Sequence, residues 1–187
     1  MRIVVLVSGT GSNLQAVIDA VAAGDLAVEI AAVGADRPGT FGIERSAAAG
    51  LETFVVNFKD FTARADWDAA LLAAVAAYRP DYVVSSGFMR IVAPSFIDAF
   101  PGRYVNTHPA LLPSFPGAHG VRDAMAYGVK VTGCTVHFAD AGVDTGPIIA
   151  QTPVEVLAGD TEETLHERIK VAERGLLIKV LGELARA

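Results

Sequence analysis

The sequence has 187 residues, 52% of them hydrophobic and 19% charged, a composition that can bury a substantial core and excludes a disordered chain. Its formal charge of −6 argues against a broad nucleic-acid or anionic-membrane surface, and no uninterrupted apolar run reaches bilayer-spanning length. Lone Cys134 excludes an internal disulfide and a cysteine-based metal cluster, and the opening Met1–Val7 run is too short for a signal-peptide core, so the expectation is one cytoplasmic domain, 1–187.

In chain order, Ile3 to Val7 is a continuous β-branched run, as expected of a strand buried on both faces. Ser8-Gly9-Thr10-Gly11-Ser12-Asn13 follows, and Leu14, Val17, Ile18 and Val21 then recur at helical spacing, with Asn13 or Ser12 as N-cap. Val28 to Val33 is a second strand. A turn at Arg37-Pro38-Gly39 precedes a short helix, Phe41 to Ala49, closed by Gly50. Thr53 to Val56 reads as a strand and Thr62 to Tyr78 as a helix with Trp67, Leu71, Leu72 and Val75 inward. Asp81 to Ser86 is a fourth strand, stopped by Gly87, and Pro94 to Phe100 a brief helix. Arg103 to Thr107 is a fifth strand that runs into a loop with three prolines. His119 to Tyr127 is a helix closed by Gly128. Val131 to Phe138 and Pro147 to Val156 are strands, with Pro153 placing the end of the second at an edge. Asp160-Thr161-Glu162-Glu163 caps a long final helix.

This alternation predicts an α/β fold: an open, mostly parallel twisted sheet with helices on both faces. Ligands of such sheets bind beyond the carboxyl ends of the strands. The loops Ser8–Asn13, Gly87–Ile91 and Asn106–Gly117 all follow parallel strands, so they should share one rim.

The glycine loop is neither a Walker A loop, for want of Gly-Lys-Ser/Thr, nor a complete Gly-x-Gly-x-x-Gly, because Leu14 stands at the third glycine. It reads either as a phosphate cradle at a helix N-terminus or as a tight turn that binds nothing. Asn106 and His108 are two apart in an extended segment and share a face, which presents an amide and an imidazole together at a strand end. That pair suits acyl-type transfer, one group donating to an oxyanion and the other moving protons. His119 is close enough in sequence to line the site, whereas His137 and His166 have no neighbouring acid that makes a geometric case. Asp144, just before Gly146-Pro147, reads as a turn aspartate or, if its loop folds over the rim, as a carboxylate that raises the pKa of His108.

Four segments in order, Ser8-Gly9-Thr10-Gly11-Ser12-Asn13-Leu14-Gln15, Gly87-Phe88-Met89-Arg90-Ile91, Asn106-Thr107-His108-Pro109-Ala110-Leu111-Leu112-Pro113 and Asp144-Thr145-Gly146-Pro147-Ile148-Ile149, resemble the 10-formyltetrahydrofolate-using formyltransferases. The first is most similar to the branch that acts on glycinamide ribonucleotide in de novo purine synthesis. The resemblance implies a Rossmann-like formyltransferase fold and transfer of a formyl group from 10-formyltetrahydrofolate to the glycinamide amine. It implies catalytic roles for Asn106, His108 and Asp144, and ribonucleotide binding by Gly11, Ser12, Asn13 and Glu173. It further implies folate binding by Arg64, Met89, Arg90, Ile91, Val92 and Asn106, with Asp140, Ala141 and Val143 in the loop against the pterin. Val92 replaces a commoner Leu and Ala110 a commoner Ser. No metal is implied, and the expected partners are small molecules, with a monomer or a homodimer equally compatible. A tRNA formyltransferase or a deformylase is disfavoured by length and acidity. A sugar-nucleotide formyltransferase is disfavoured by the glycine loop, and a non-catalytic folate- or nucleotide-binding module by the intact Asn106, His108 and Asp144.

Overall fold

The structure, a computed structural model, describes all residues 1–187. A seven-stranded sheet runs through it in the order β3-β2-β1-β4-β5-β6-β7. The strands are β1 (Arg2–Val7), β2 (Glu29–Ala35), β3 (Thr53–Val55), β4 (Tyr82–Ser85), β5 (Tyr104–His108), β6 (Val131–Phe138) and β7 (Ile148–Glu155). The first five are parallel, and β6 and β7 are antiparallel additions beside β5. The expected α/β architecture is therefore present, and β7 with Pro153 forms one edge of the sheet, where a missing backbone donor is tolerated.

Alternation along β1 explains why helices cover both faces. Ile3, Val5 and Val7 pack with Leu14, Val17 and Ile18 of α1 (Ser12–Ala23) and with Leu177 and Leu181 of α6 (Glu162–Leu184). Val4 and Leu6 point the other way, onto Trp67, Leu71 and Val75 of α3 (Arg64–Ala76) and Phe96 of α4 (Pro94–Ala99). Leu72 is only half-buried at the margin of that cluster. A third cluster joins Val105, Cys134 and Val136 to Val121 of α5 (Gly120–Tyr127) and to Leu165, Ile169 and Leu176 of α6. The remaining helix, α2 (Phe41–Ala48), is capped by the Thr40 side chain. No helix is long and apolar enough to cross a membrane.

Two expected boundaries shift for local reasons. The N-cap of α1 is Gly11, at φ 66, and neither Ser12 nor Asn13; both are already helical and no side chain caps the end. A left-handed backbone turns the chain there, and only glycine fits, since a Cβ at position 11 would lie 2.7 Å from the Cα of Gly42. α3 starts at Arg64, two residues after the expected Thr62, because Thr62 and Ala63 complete the bend that follows a 3-10 turn at Phe58–Asp60.

Candidate active site

The strand order reverses between β1 and β4, and the loops after β1, β4 and β5 meet at that rim. Hydrogen bonds tie them together. Buried Ser8 accepts from the Met89 N–H at 2.9 Å through its hydroxyl and donates its own N–H to the Gly87 carbonyl at 3.1 Å. Arg45 donates to the Thr10 carbonyl at 2.9 Å, and Arg37 to that of Ser8. The first loop is thus fixed from outside by two guanidinium groups, while the N-terminus of α1 has neither a capping side chain nor an acidic residue in its first turn. Its free N–H groups and the helix dipole favour an anion. Asn13 is buried with its Oδ1 unpaired.

The second loop leaves Met89 77% and Ile91 64% exposed, two large apolar side chains side by side at the rim, with Val92 half-buried beneath. Arg90 turns away from them. It pairs with buried Asp36 at 2.9 Å and lies 4.1 Å over the Phe58 ring. Arg64 pairs with Asp68 one turn along α3 and donates to the Ile91 carbonyl, so it braces this loop.

Asn106 and His108 project from one face of β5 as alternation requires, and the antiparallel register sets His137 of β6 opposite Asn106 and Thr135 opposite His108. Asp144, at φ 55, reaches into this group from the β6–β7 loop. Its Oδ2 accepts from the Gly117 N–H at 2.8 Å and lies 3.3 Å from His108 Nδ1. Its Oδ1 lies 3.4 Å from Asn106 Nδ2 and 3.6 Å from His137 Nε2. His108 Nε2 meets the Phe115 carbonyl at 2.8 Å, so both its ring nitrogens face acceptors. His137 Nε2 is 3.2 Å from Asn106 Nδ2, and its Nδ1 is 3.1 Å from the Phe138 carbonyl. With its proton on Nδ1, His137 accepts from Asn106 and holds the amide NH2 toward Asp144; a second proton would make it a donor to Asp144. Burial pushes the Asp144 carboxyl up, but hydrogen bonds from His137 and the Gly117 N–H, with the charge of the two imidazoles, outweigh it and hold the group below its usual range.

Asn106, His108 and Asp144 therefore converge as expected, and His137 is the correction: a neighbouring acid does exist for it, contributed by a loop distant in the chain. The signal was the Thr135-x-His137 alternation, which matches Asn106-x-His108 once β5 and β6 are paired. Thr135 pins the proline loop, accepting from the Leu112 N–H at 3.0 Å and donating to the Ala110 carbonyl at 2.7 Å. His119 is exposed at the N-cap of α5 and makes no hydrogen bond within the cluster. Glu173 is buried on α6 beside the third apolar cluster, on the Cys134 face of the sheet, with no hydrogen bond or ion pair to Asn106, His108 or Asp144. Asp140 turns its Oδ1 back into its own loop, toward the Gly142 N–H and the Thr145 hydroxyl, while Ala141 and Val143 are exposed there. The proline loop also walls a separate recess of about 400 Å3, lined by Leu111, Phe115, Tyr127 and Val131 among others, which none of the four clustered polar side chains lines.

Residues 1–181 match the model of the family described as Formyl transferase. Over 184 residues the chain is 59% identical to a phosphoribosylglycinamide formyltransferase of Mycobacterium tuberculosis, covering 98% of this chain and 85% of that protein. It is 40% identical over 185 residues to the phosphoribosylglycinamide formyltransferase of Escherichia coli, covering 99% and 87%. A solved glycinamide ribonucleotide transformylase 1 of Symbiobacterium toebii superposes with a TM-score of 0.96 at 44% identity, covering all of this chain and 88% of the other.

Proposed function

This chain belongs to the formyl transferase family, and from that premise we propose that it transfers the formyl group of 10-formyltetrahydrofolate to the glycinamide amine of phosphoribosylglycinamide, a step of purine biosynthesis. The observation that carries this reading is the meeting of Asn106, His108 and Asp144 at a rim whose neighbouring loop ends in an uncapped helix N-terminus.

The uncapped N-terminus of α1, at Gly11, Ser12 and Asn13, suits the phosphate of the ribonucleotide. The exposed Met89 and Ile91, backed by Val92, offer an apolar surface to the flat ring of the folate, with Arg64 and Arg90 bracing that loop. The folate donor supplies an activated N-formyl group, so the protein has only to position the amine, stabilise charge and move one proton. Asn106 and His108 are the donors for the formyl oxygen as it becomes negative. In the free protein those donors point at Asp144 at 3.4 and 3.3 Å, long for charge-assisted bonds, so an oxyanion between them makes the better partner. His137 keeps the Asn106 amide turned toward that position. Asp144, held as a carboxylate by its own donors, orients the Asn106 amide and the His108 ring and relays the proton lost by the attacking nitrogen to the departing folate nitrogen.

The test is a formyl-transfer assay on the purified protein with phosphoribosylglycinamide and 10-formyltetrahydrofolate. Formation of the N-formyl ribonucleotide with release of tetrahydrofolate is expected. Turnover with water alone as acceptor would assign a deformylase, and absence of any turnover would leave a binding module.

A further inference from the structure

Asp144 has a left-handed backbone (φ 55), a conformation that aspartate tolerates better than most residues but that still costs energy unless its surroundings hold it. The loop that carries it is closed at two levels. At the base, the Phe138 N–H donates to the Pro147 carbonyl at 2.9 Å and the Ala139 N–H to the Tyr104 carbonyl at 2.8 Å. Gly146 is pressed against this closure, since a Cβ there would lie 1.8 Å from the Phe138 carbonyl oxygen. Nearer the tip, Asp140 Oδ1 accepts from the Thr145 hydroxyl at 2.8 Å and from the Gly142 N–H at 3.0 Å. The Thr145 side chain folds over Gly142 so closely that a Cβ at 142 would lie 2.0 Å from its hydroxyl oxygen. Only Val143 and Asp144 stand outside this inner closure, and Thr145 is bonded directly to Asp144.

We propose that the Asp140–Thr145 hydrogen bond over Gly142 is a clasp that positions Asp144, so that Thr145 is a positioning residue for formyl transfer and Asp140 serves the loop rather than a ligand. The inference rests on the function proposed above. With Thr145 held on Asp140, rotation about the backbone on the C-terminal side of Asp144 is blocked, and its carboxylate is aimed at the Gly117 N–H, His108 and Asn106. Without the hydroxyl, the left-handed residue is free to relax and its carboxylate withdraws from the imidazole. Misplacement of a catalytic group by about 1 Å is enough to cost on the order of a hundredfold in rate.

The experiment compares wild type with Thr145→Val, isosteric but without the donor, and Thr145→Ser, which keeps it. Thr145→Val should lose about ten- to a hundredfold in kcat, with the KM for phosphoribosylglycinamide unchanged. Thr145→Ser should stay near wild type. In an Asp144→Asn background, Thr145→Val should add no further loss, because a clasp that acts through Asp144 has nothing left to position. Near-normal kcat in Thr145→Val, an equal loss in Thr145→Ser, or full additivity with Asp144→Asn would each overturn the proposal. Should Thr145→Val fold poorly, Asp140→Ala, which removes the acceptor from the other side, must reproduce the kcat loss. Wild-type turnover is the separate control: its absence sinks the functional reading, whereas failure of the clasp appears only in the ratios between variants.

Discussion

Asp144 collects its partners from three separate segments: the Gly117 N–H, the imidazoles of His108 and His137, and the Asn106 amide. A carboxylate in that setting orders the donors around it as well as acting itself. Asp144→Asn and His108→Ala should each lower kcat by about 10²–10³, the usual cost of removing one stabilising group from an oxyanion site, while ribonucleotide affinity persists. Turnover near wild type in either variant would remove the assigned roles. The depressed pKa of Asp144 also has a sign for stability. A group held lower in the folded than in the unfolded state contributes stability above its unfolded pKa and loses it as pH falls through the folded value. The urea midpoint of the wild type should therefore fall more steeply on acidification than that of Asp144→Asn. Parallel slopes would mean that these donors do not favour the ionised form.

At the scale of elements, the first βα turn works because its helix is left uncapped. A conventional Ser or Asn cap would occupy N–H groups that here stay open, and Gly11 lets the chain enter the helix without one. The same glycine allows α1 and α2 to approach, its Cα hydrogens facing the Gly42 backbone. Gly11→Ala adds both an unfavourable left-handed alanine and a Cβ 2.7 Å from the Gly42 Cα. It should cost about 1–3 kcal/mol of stability and weaken ribonucleotide binding far more than folate binding. Equilibrium titration with each substrate, alongside denaturation, separates the two effects.

At the scale of the whole molecule, α6 joins the two halves of the sheet. Leu177 and Leu181 pack against β1 and α1, while Leu165, Ile169, Leu176 and Val180 pack against β5 and β6. The strand that begins the glycine loop and the strands that carry Asn106, His108 and His137 are thus braced by one helix. Leu177 is fully buried, so Leu177→Ala should cost about 2–5 kcal/mol. Because the helix spans both halves, the loss should appear as one cooperative transition at lower denaturant, by fluorescence of Trp67 and by far-ultraviolet circular dichroism alike. Separate transitions would mean that α6 does not couple the halves.

The strand and helix order could be read from the chain because each depends on local pattern: β-branched runs for β1, β4 and β5, helical spacing for α1 and α6, and glycine or proline at the breaks. The shared face of Asn106 and His108 follows from extended geometry alone, and the common rim of three loops from parallel order. The cap of α1 falls on Gly11, against the usual preference for serine or asparagine, where Gly42, about thirty residues away, comes too close for any Cβ. The pairing of Arg90 with Asp36, at the end of another strand, depends on strand order and leaves no local pattern. His137 had no visible partner because the β5–β6 register, which sets it opposite Asn106, is a property of the paired strands. Sequence by itself determined the sheet, the rim and the amide–imidazole pair, all products of backbone periodicity. Only the tertiary structure decided that Asp144 meets them and that His137 joins them. Those contacts depend on strand register and on a left-handed residue in a clasped loop, and neither leaves a periodic trace in the chain.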